Sequence, residues 1–342
     1  MQSIRRAAPA ALLLAGALLW AGCGADQPIS SAVGSYSDVA VLTDMKALGP
    51  VARQIQRSLE VELDYSLKPE KLFKVDLFDI SDRRGAEVYK NVVVVGLVDG
   101  RDEGSKELRR RLGGETLSDA GHRDLFVAVE EDVYSRNQLV FYVAGRDRGL
   151  MQSALARNAD LLIDRIESAN RQRLREFLFS DGHETHLEQR IHQELGFHLQ
   201  VPASYRETRF YAGENEGLVE VAAVRPTRAV SVYFRADVDS SLLEDRPALL
   251  ELRRQWGRRF LEEKLQDAGG FTWQEDVPFG DRDCLVLGGF WEAEKGGYAG
   301  PFRTFFFYVP EQRRLHGVNI LTYAPGMEKH TWMREATAVA ET

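Results

Sequence analysis

Hydrophobic and polar positions alternate in three regimes along this chain. Asp38 to Leu42 is a short apolar run that predicts a strand, and Thr43 is placed to cap a helix from about Asp44 to Glu60. In that helix Leu48, Val51, Ile55 and Leu59 recur at spacings of three and four, the stripe of an amphipathic helix. Leu72 to Ile80 alternates as a strand does. Asn91 to Val98 carries Val92-Val93-Val94-Val95, apolar on both faces, which predicts a central strand covered on both sides. A short helix over Ser105 to Leu112 and strands at Leu125 to Val129 and Gln138 to Val143 follow. Strands separated by helices at this spacing predict an α/β layer structure over residues 38–145, with strand order left open.

From Asp147 to Phe179 the period becomes helical, with Met151, Leu155, Leu162, Ile166, Leu174 and Phe177 on one stripe. Asp181 and Glu184 suit the start of a second helix running to about Leu195. This helical connector, 146–196, divides the chain. After it, strands are expected at Phe197 to Pro202, Leu218 to Val224, Ala229 to Arg235, Asp283 to Trp291, Arg303 to Val309 and Leu315 to Tyr323. Pro247 opens a helix expected to end at Gly269-Gly270, and another helix begins near Met327. The fold class expected is an α/β N-terminal half plus an α+β C-terminal half (197–342) with a largely antiparallel sheet, and a long central helix between them.

The first 23 residues follow a different pattern. Arg5 and Arg6 precede an uncharged run, Ala7 to Trp20, that closes in Ala21-Gly22-Cys23. A basic start, an apolar segment and small residues before a cut mark an exported chain, and the run is shorter than the roughly 20 residues of a spanning helix. The ending resembles the lipobox of bacterial lipoproteins, with Trp20 where that pattern prefers Leu. The resemblance implies that residues 1–22 are a signal peptide. It implies too that Cys23 receives a diacylglyceryl group with palmitate-type acyl chains, which hold the protein on a membrane. Residues 23–37, rich in Gly, Ser, Ala and Pro, are expected to be a flexible tether. The expected place is the cell envelope, at the outer membrane and facing the periplasm.

Removing a segment with two arginines and no acid takes the net charge from −8 to −10. That balance argues against nucleic acid, whose binding needs clustered cations. With 44% hydrophobic and 28% charged residues, the remainder reads as globular. Of two cysteines, Cys23 is assigned to lipidation, so Cys284, in the strand-like Cys-Leu-Val-Leu, reads as a buried thiol without a disulfide partner.

Gly289-Phe290-Trp291-Glu292, Gly297-Tyr298-Ala299-Gly300-Pro301-Phe302 and Tyr323-Ala324-Pro325-Gly326 with Lys329 form a recognisable set, joined upstream by Val201-Pro202-Ala203-Ser204-Tyr205. The set resembles an uncharacterised bacterial (Bacteroidota-type) lipoprotein family, domain of unknown function 4837. The resemblance is expected to extend over most of the chain after the tether. It implies a fold and an envelope address, and it carries no reaction.

No phosphate-binding loop, nucleophile elbow, dinucleotide fingerprint or His-Glu-x-x-His motif occurs in the sequence. His183-Glu184-Thr185-His186 is one residue short of the zinc-protease spacing, so His183 and His186 are weak metal candidates and no cofactor is expected. Trp291, Tyr298, Gly300, Pro301, Phe302 and Arg303 form the candidate binding loop, where glycines permit close approach and rings offer surface for a glycan or an envelope protein. Asp276, Asp281 and Asp283, and Asp237 with Asp239, are the carboxylates available for a glycosidase-like pair. The reading is a non-catalytic envelope lipoprotein acting by binding or assembly; the alternative is an envelope-polymer hydrolase using such a pair or a His183/His186 metal site.

Overall fold

The computed structural model describes residues 30–63, 69–280 and 282–342. In chain order the first half is β1 (Asp38–Thr43), α1 (Met45–Leu59), the short β2 (Glu62–Leu63) and β3 (Glu70–Lys71), and β4 (Lys74–Asp79). There follow α2 (Arg83–Ala86), β5 (Asn91–Leu97), α3 (Glu103–Arg111), α4 (Gly114–Gly121), β6 (Phe126–Glu131) and β7 (Leu139–Gly145). Five strands form one sheet in the order β4-β1-β5-β7-β6, parallel except for β6. The central place of β5 explains its valines. Val93 and Val95 enter the core shared with α1, while Val92 and Val94 enter the core on the opposite face with Leu108 of α3. Asp44, not Thr43, caps α1, accepting the N–H groups of Lys46 and Ala47; the Thr43 hydroxyl donates instead to the Val95 carbonyl at 2.9 Å, stitching β1 to β5.

The expected central helix is present but broken at Asn158 into α5 (Arg148–Arg157) and α6 (Ala159–Leu178). Asn158 leaves the helical region at φ −129°, ψ 47°. Leu162 and Ile166 of α6 pack in the first-half core, and Leu174 and Leu178 pack in the second-half core. One helix therefore serves both hydrophobic interiors.

The second half is α7 (Thr185–Leu195), β8 (Arg206–Ala212), β9 (Glu216–Ala223), β10 (Thr227–Ala236), α8 (Arg246–Trp256) and β11 (Glu263–Gln266), then β12 (Thr272–Phe279), β13 (Arg282–Ala293), β14 (Ala299–Val309), β15 (Arg314–Tyr323) and α9 (His330–Ala340). Its eight strands are antiparallel throughout, in the order β11-β13-β14-β15-β10-β9-β8, with β12 also on β13. One face packs on residues of α6, α7 and α9, the other on α8. Arg209 of β8 reaches Glu262, just ahead of β11, at 3.4 Å, so the sheet curls about α8 until its two ends approach.

Two of the expected elements take another form. Residues 197–202 are not a strand; they run as an extended segment with one isolated bridge, His183 to Pro202. The helix opened by Pro247 stops at Trp256, continues as a single π turn (Gly257–Leu261), and turns at Glu262, which is left-handed at φ 55°. The chain then extends into β11, which pairs with β13 at the sheet edge.

Residues 30–37, within the stretch expected to be a tether, lie fastened along the first half. Ala32 donates to the Arg136 carbonyl and Val33 to that of Val88, both at 2.8 Å, and the Tyr36 carbonyl accepts from Asn91 and Asn170, both at 2.9 Å. The two halves are also bridged: Arg334 of α9 pairs with Glu167 of α6 and donates to Ser37 Oγ at 2.9 Å, and Arg171 reaches Glu341 at 2.9 Å. Cys23 and the apolar run before it lie outside the described residues. Among the described residues no helix is long and apolar enough to cross a membrane.

Candidate functional site

The loop singled out in the sequence is the β13–β14 hairpin, and the sheet consumes most of it. Trp291 and Gly300 face each other across the two strands, as do Phe290 and Pro301. Trp291 and Phe302 are buried in the core beneath α8. Gly300 is there because a Cβ would sit 2.0 Å from the Thr322 carbonyl oxygen. Arg303 donates to Gln274 Oε1 at 2.8 Å and lies over the Phe305 ring. Tyr298 alone of the six keeps a large exposed surface, 49%, edge-on to Tyr323. The ring faces expected to meet a ligand are thus mainly committed to packing.

His183 precedes α7 instead of lying on it, contacts Glu188 at 3.1 Å and packs on Phe179. His186 lines a separate shallow hollow with Arg190 and Arg206, and His192 stacks on His198 at 4.1 Å. Among the described residues no three His, Cys, Asp or Glu side chains are grouped to hold a metal ion. The carboxylates also have local work: Asp239 caps a turn through the Ser241 N–H at 2.9 Å, and Asp237 and Asp276 sit at left-handed backbone positions. Asp281 lies outside the described residues. Cys284 is buried in β13, and burial pushes its thiol up to about 12, well away from nucleophile range.

A more developed site lies at the open end of the curled sheet. The β8–β9 hairpin brings Tyr211, Glu214, Asn215 and Glu216; β10 brings Tyr233 and Arg235; α8 and its π turn bring Gln255, Trp256, Arg258, Arg259 and Phe260. They enclose a pocket of about 760 Å³. Trp256 is the floor, seated on Gly317, where a Cβ would fall 2.0 Å from its ring. Tyr233 lies on Trp256 with ring centres 4.4 Å apart, and Tyr211 on Phe260 at 4.8 Å. The π turn carries Arg258, Arg259 and Phe260 onto the rim, a use of π geometry often found at functional sites. Arg259 lies over the Phe260 ring at 4.6 Å and pairs with Glu216, which accepts from the Tyr233 hydroxyl at 2.9 Å. Burial, followed by the Glu216 carboxylate, raises the Tyr233 hydroxyl pKa well above its usual value, so it donates as a neutral phenol.

Behind this pocket a polar row crosses the sheet beneath α8. Thr304 donates to Asn319 at 2.9 Å, Asn319 faces Ser231 and Ser231 faces Glu220 in adjacent strands, and Thr208 donates to Glu220 at 2.6 Å. Above the row Arg253, fully buried, donates to Glu263 at 2.8 Å. Burial pushes the Glu263 carboxyl up to about 7, against the lowering influence of Arg253. This pair is sealed in the interior; the groups facing the pocket opening are ring faces and planar amide, carboxylate and guanidinium groups. Such surfaces stack on, and hydrogen-bond to, a polyhydroxylated or aromatic ligand.

Sequence reasoning missed this pocket because its walls come from three segments that only strand pairing brings together. Tyr211 and Phe260 are 49 positions apart, and neither lies in a motif. The one local signal was Arg258-Arg259-Phe260, two cations and a ring beyond the helix the apolar stripe supports.

Residues 184–342 match the family model described as Domain of unknown function (DUF4837). The resemblance carried by the Trp291, Tyr298–Phe302 and Tyr323–Gly326 segments therefore stands for the second half, and the match is confined to it. No curated protein and no solved structure matches the chain.

Proposed function

Taking residues 184–342 as a domain of unknown function 4837, we propose that this chain is a lipid-anchored, non-catalytic binding protein of the cell envelope. The pocket between the β8–β9 hairpin and the π turn is its recognition site. The observation that carries the reading is the pairing inside that pocket. Glu216 is held by Arg259 and the Tyr233 hydroxyl, so its charge is spent on fixing the wall, while the rings of Tyr211 and Phe260 stay at the opening. With Glu216 committed to the wall and ring faces at the opening, the arrangement is one that binds and orients a ligand. Aromatic platforms flanked by planar polar side chains suit the ring faces and hydroxyls of a saccharide, so the ligand class is an envelope glycan segment.

The anchor rests on Arg5-Arg6, the apolar run and Ala21-Gly22-Cys23. Two or more acyl chains on Cys23 give firm attachment where one gives marginal attachment. Mass spectrometry of the purified mature protein tests this half of the reading. The expected N-terminal peptide begins at Cys23 and carries a diacylglyceryl group, and Cys23→Ser moves the protein out of the membrane fraction. An intact Met1 or an unmodified Cys23 thiol would sink it. The binding half is tested separately, with soluble glycan fragments.

A further inference from the structure

From Ser30 onward the chain is fastened to the first half at one place. The Arg136 N–H donates to the Ser30 carbonyl, that of Ala32 to the Arg136 carbonyl and that of Val33 to the Val88 carbonyl, each at 2.8 Å. Bridges pair Ser31 with Arg136 and Val33 with Tyr89. Tyr89 lies just ahead of β5 and Arg136 just ahead of β7, so this strip crosses the end of the sheet where those two parallel strands begin. Its neighbours Tyr89 and Tyr134 pack with Leu108 of α3, on the face of the sheet opposite to α1 and α5. Two apolar side chains stay uncovered there. Val33 is 60% exposed and Val88 42%, and the hydrogen bond between their backbones sets them side by side. Arg136 beside them is exposed and makes no ion pair among the described residues.

Single exposed apolar residues are ordinary on a protein surface and assign nothing by themselves. Chain length does more. If the lipid sits on Cys23, seven residues carry the chain from it to Ser30, and seven residues span at most about 25 Å in any conformation. A globular chain of this length has a radius of gyration of about 20 Å, so a tether that short does not let the body turn its far side to the bilayer. It also holds the strip at a high effective concentration over the lipid, where contacts too weak to bind alone become occupied. Valine methyl groups and a guanidinium that reaches lipid phosphate are contacts of that kind. We propose that Val33, Val88 and Arg136 form the membrane-contacting face of this protein. The two valines rest at the boundary between headgroups and acyl chains, Arg136 engages a lipid phosphate, and the opposite side, with Leu150 of α5, stays in water. This face rests on the anchor proposed at Cys23.

The test uses the full chain, lipidated and reconstituted in vesicles of phosphatidylethanolamine and phosphatidylglycerol. Cys284 is buried, so Val88→Cys and Leu150→Cys each take one nitrobenzoxadiazole label; Leu150 is 44% exposed and provides the comparison. Lipid carrying a nitroxide on its headgroup is expected to quench the label at position 88 and to leave that at 150 bright. Val33→Asp, a change on the surface, should reduce the quenching at 88 while the protein still floats with the vesicles. A chain without lipid on Cys23, or one that does not float, would remove the anchor and this face with it. Lipidated, floating protein with equal quenching at 88 and 150 would overturn the face and leave the anchor standing, as would quenching at 88 that Val33→Asp does not change.

Discussion

The carboxylate of Glu70 accepts the backbone N–H of His330 at 3.0 Å and that of Lys329 at 2.9 and 3.0 Å, so a residue of the first half caps the last helix of the second. The cap joins positions 260 residues apart at a helix N-terminus, where a negative group is favoured by the unpaired N–H groups and the helix dipole. Glu70→Ala is expected to cost about 1 kcal/mol in urea unfolding. Amide exchange should accelerate in the first turn of α9, while β5 keeps its protection. Unchanged α9 exchange would mean that the helix is held by packing alone.

Arg253 and Glu263 form a buried pair, and removing one partner strands the other. Arg253→Met should lower stability by about 3–5 kcal/mol. The pH dependence has a defined sign. Glu263 titrates near 7 in the folded protein against 4.5 as an ordinary carboxyl, chiefly through burial. The stability it contributes is therefore full below about pH 4.5 and is lost as pH rises through about 7. Measured against Glu263→Gln, the native protein should gain stability as pH falls from 8 to 4.5; a constant difference would mean that Glu263 stays charged throughout.

His316 and His330 work in the opposite sense. Burial is the main cause that lowers both, His316 to about 4 and His330 well below its usual 6.5. Neutral buried imidazoles contribute stability above pH 6.5 that drains away as pH falls towards 4. His316→Phe should flatten that part of the acid-unfolding profile measured by circular dichroism. A profile parallel to the native one would place the acid sensitivity elsewhere.

Gly300 and Gly317 are steric requirements of the sheet. An added Cβ at 300 would strike the Thr322 backbone, and one at 317 would strike the Trp256 ring, each at 2.0 Å. Gly300→Ala has only backbone to displace and should cost about 1–3 kcal/mol or more. Gly317→Ala lifts Trp256 from its seat, so it should weaken ligand binding as well as lower the melting temperature. Native-like melting of both variants would show that the strands yield locally.

The parts legible in the sequence were those whose local pattern and buried environment agree. Val92 to Val95 announced a strand covered on both faces, and the Leu48, Val51, Ile55, Leu59 stripe announced α1. The central helix and the antiparallel character of the second half were likewise readable. Edge elements were not. Arg206–Ala212 and Thr272–Phe279 are edge strands with mainly exposed, polar side chains, each folded back on the next strand along the chain, so they carry no apolar alternation. Arg258 to Leu265 keeps a helical look that pairing of Leu265 with Trp291 overrides. The candidate loop reads as a binding surface because glycines and rings occur together there. In the fold Gly300 lets β14 approach β15, and the rings of Trp291 and Phe302 fill the core. The pocket walls had no contiguous signature to read.

Tyr211 and Phe260 stand at the mouth of the proposed recognition site, and titrating the mature protein with disaccharide peptides released from bacterial cell wall by a muramidase tests their role most directly. Calorimetry is expected to show saturable binding to the native chain. It should be at least about tenfold weaker in the Tyr211→Ala, Phe260→Ala double variant, whose melting temperature should fall little because both rings lie at the rim. Equal binding by the two proteins, or none by the native chain, would contradict the assignment of this pocket as a glycan site.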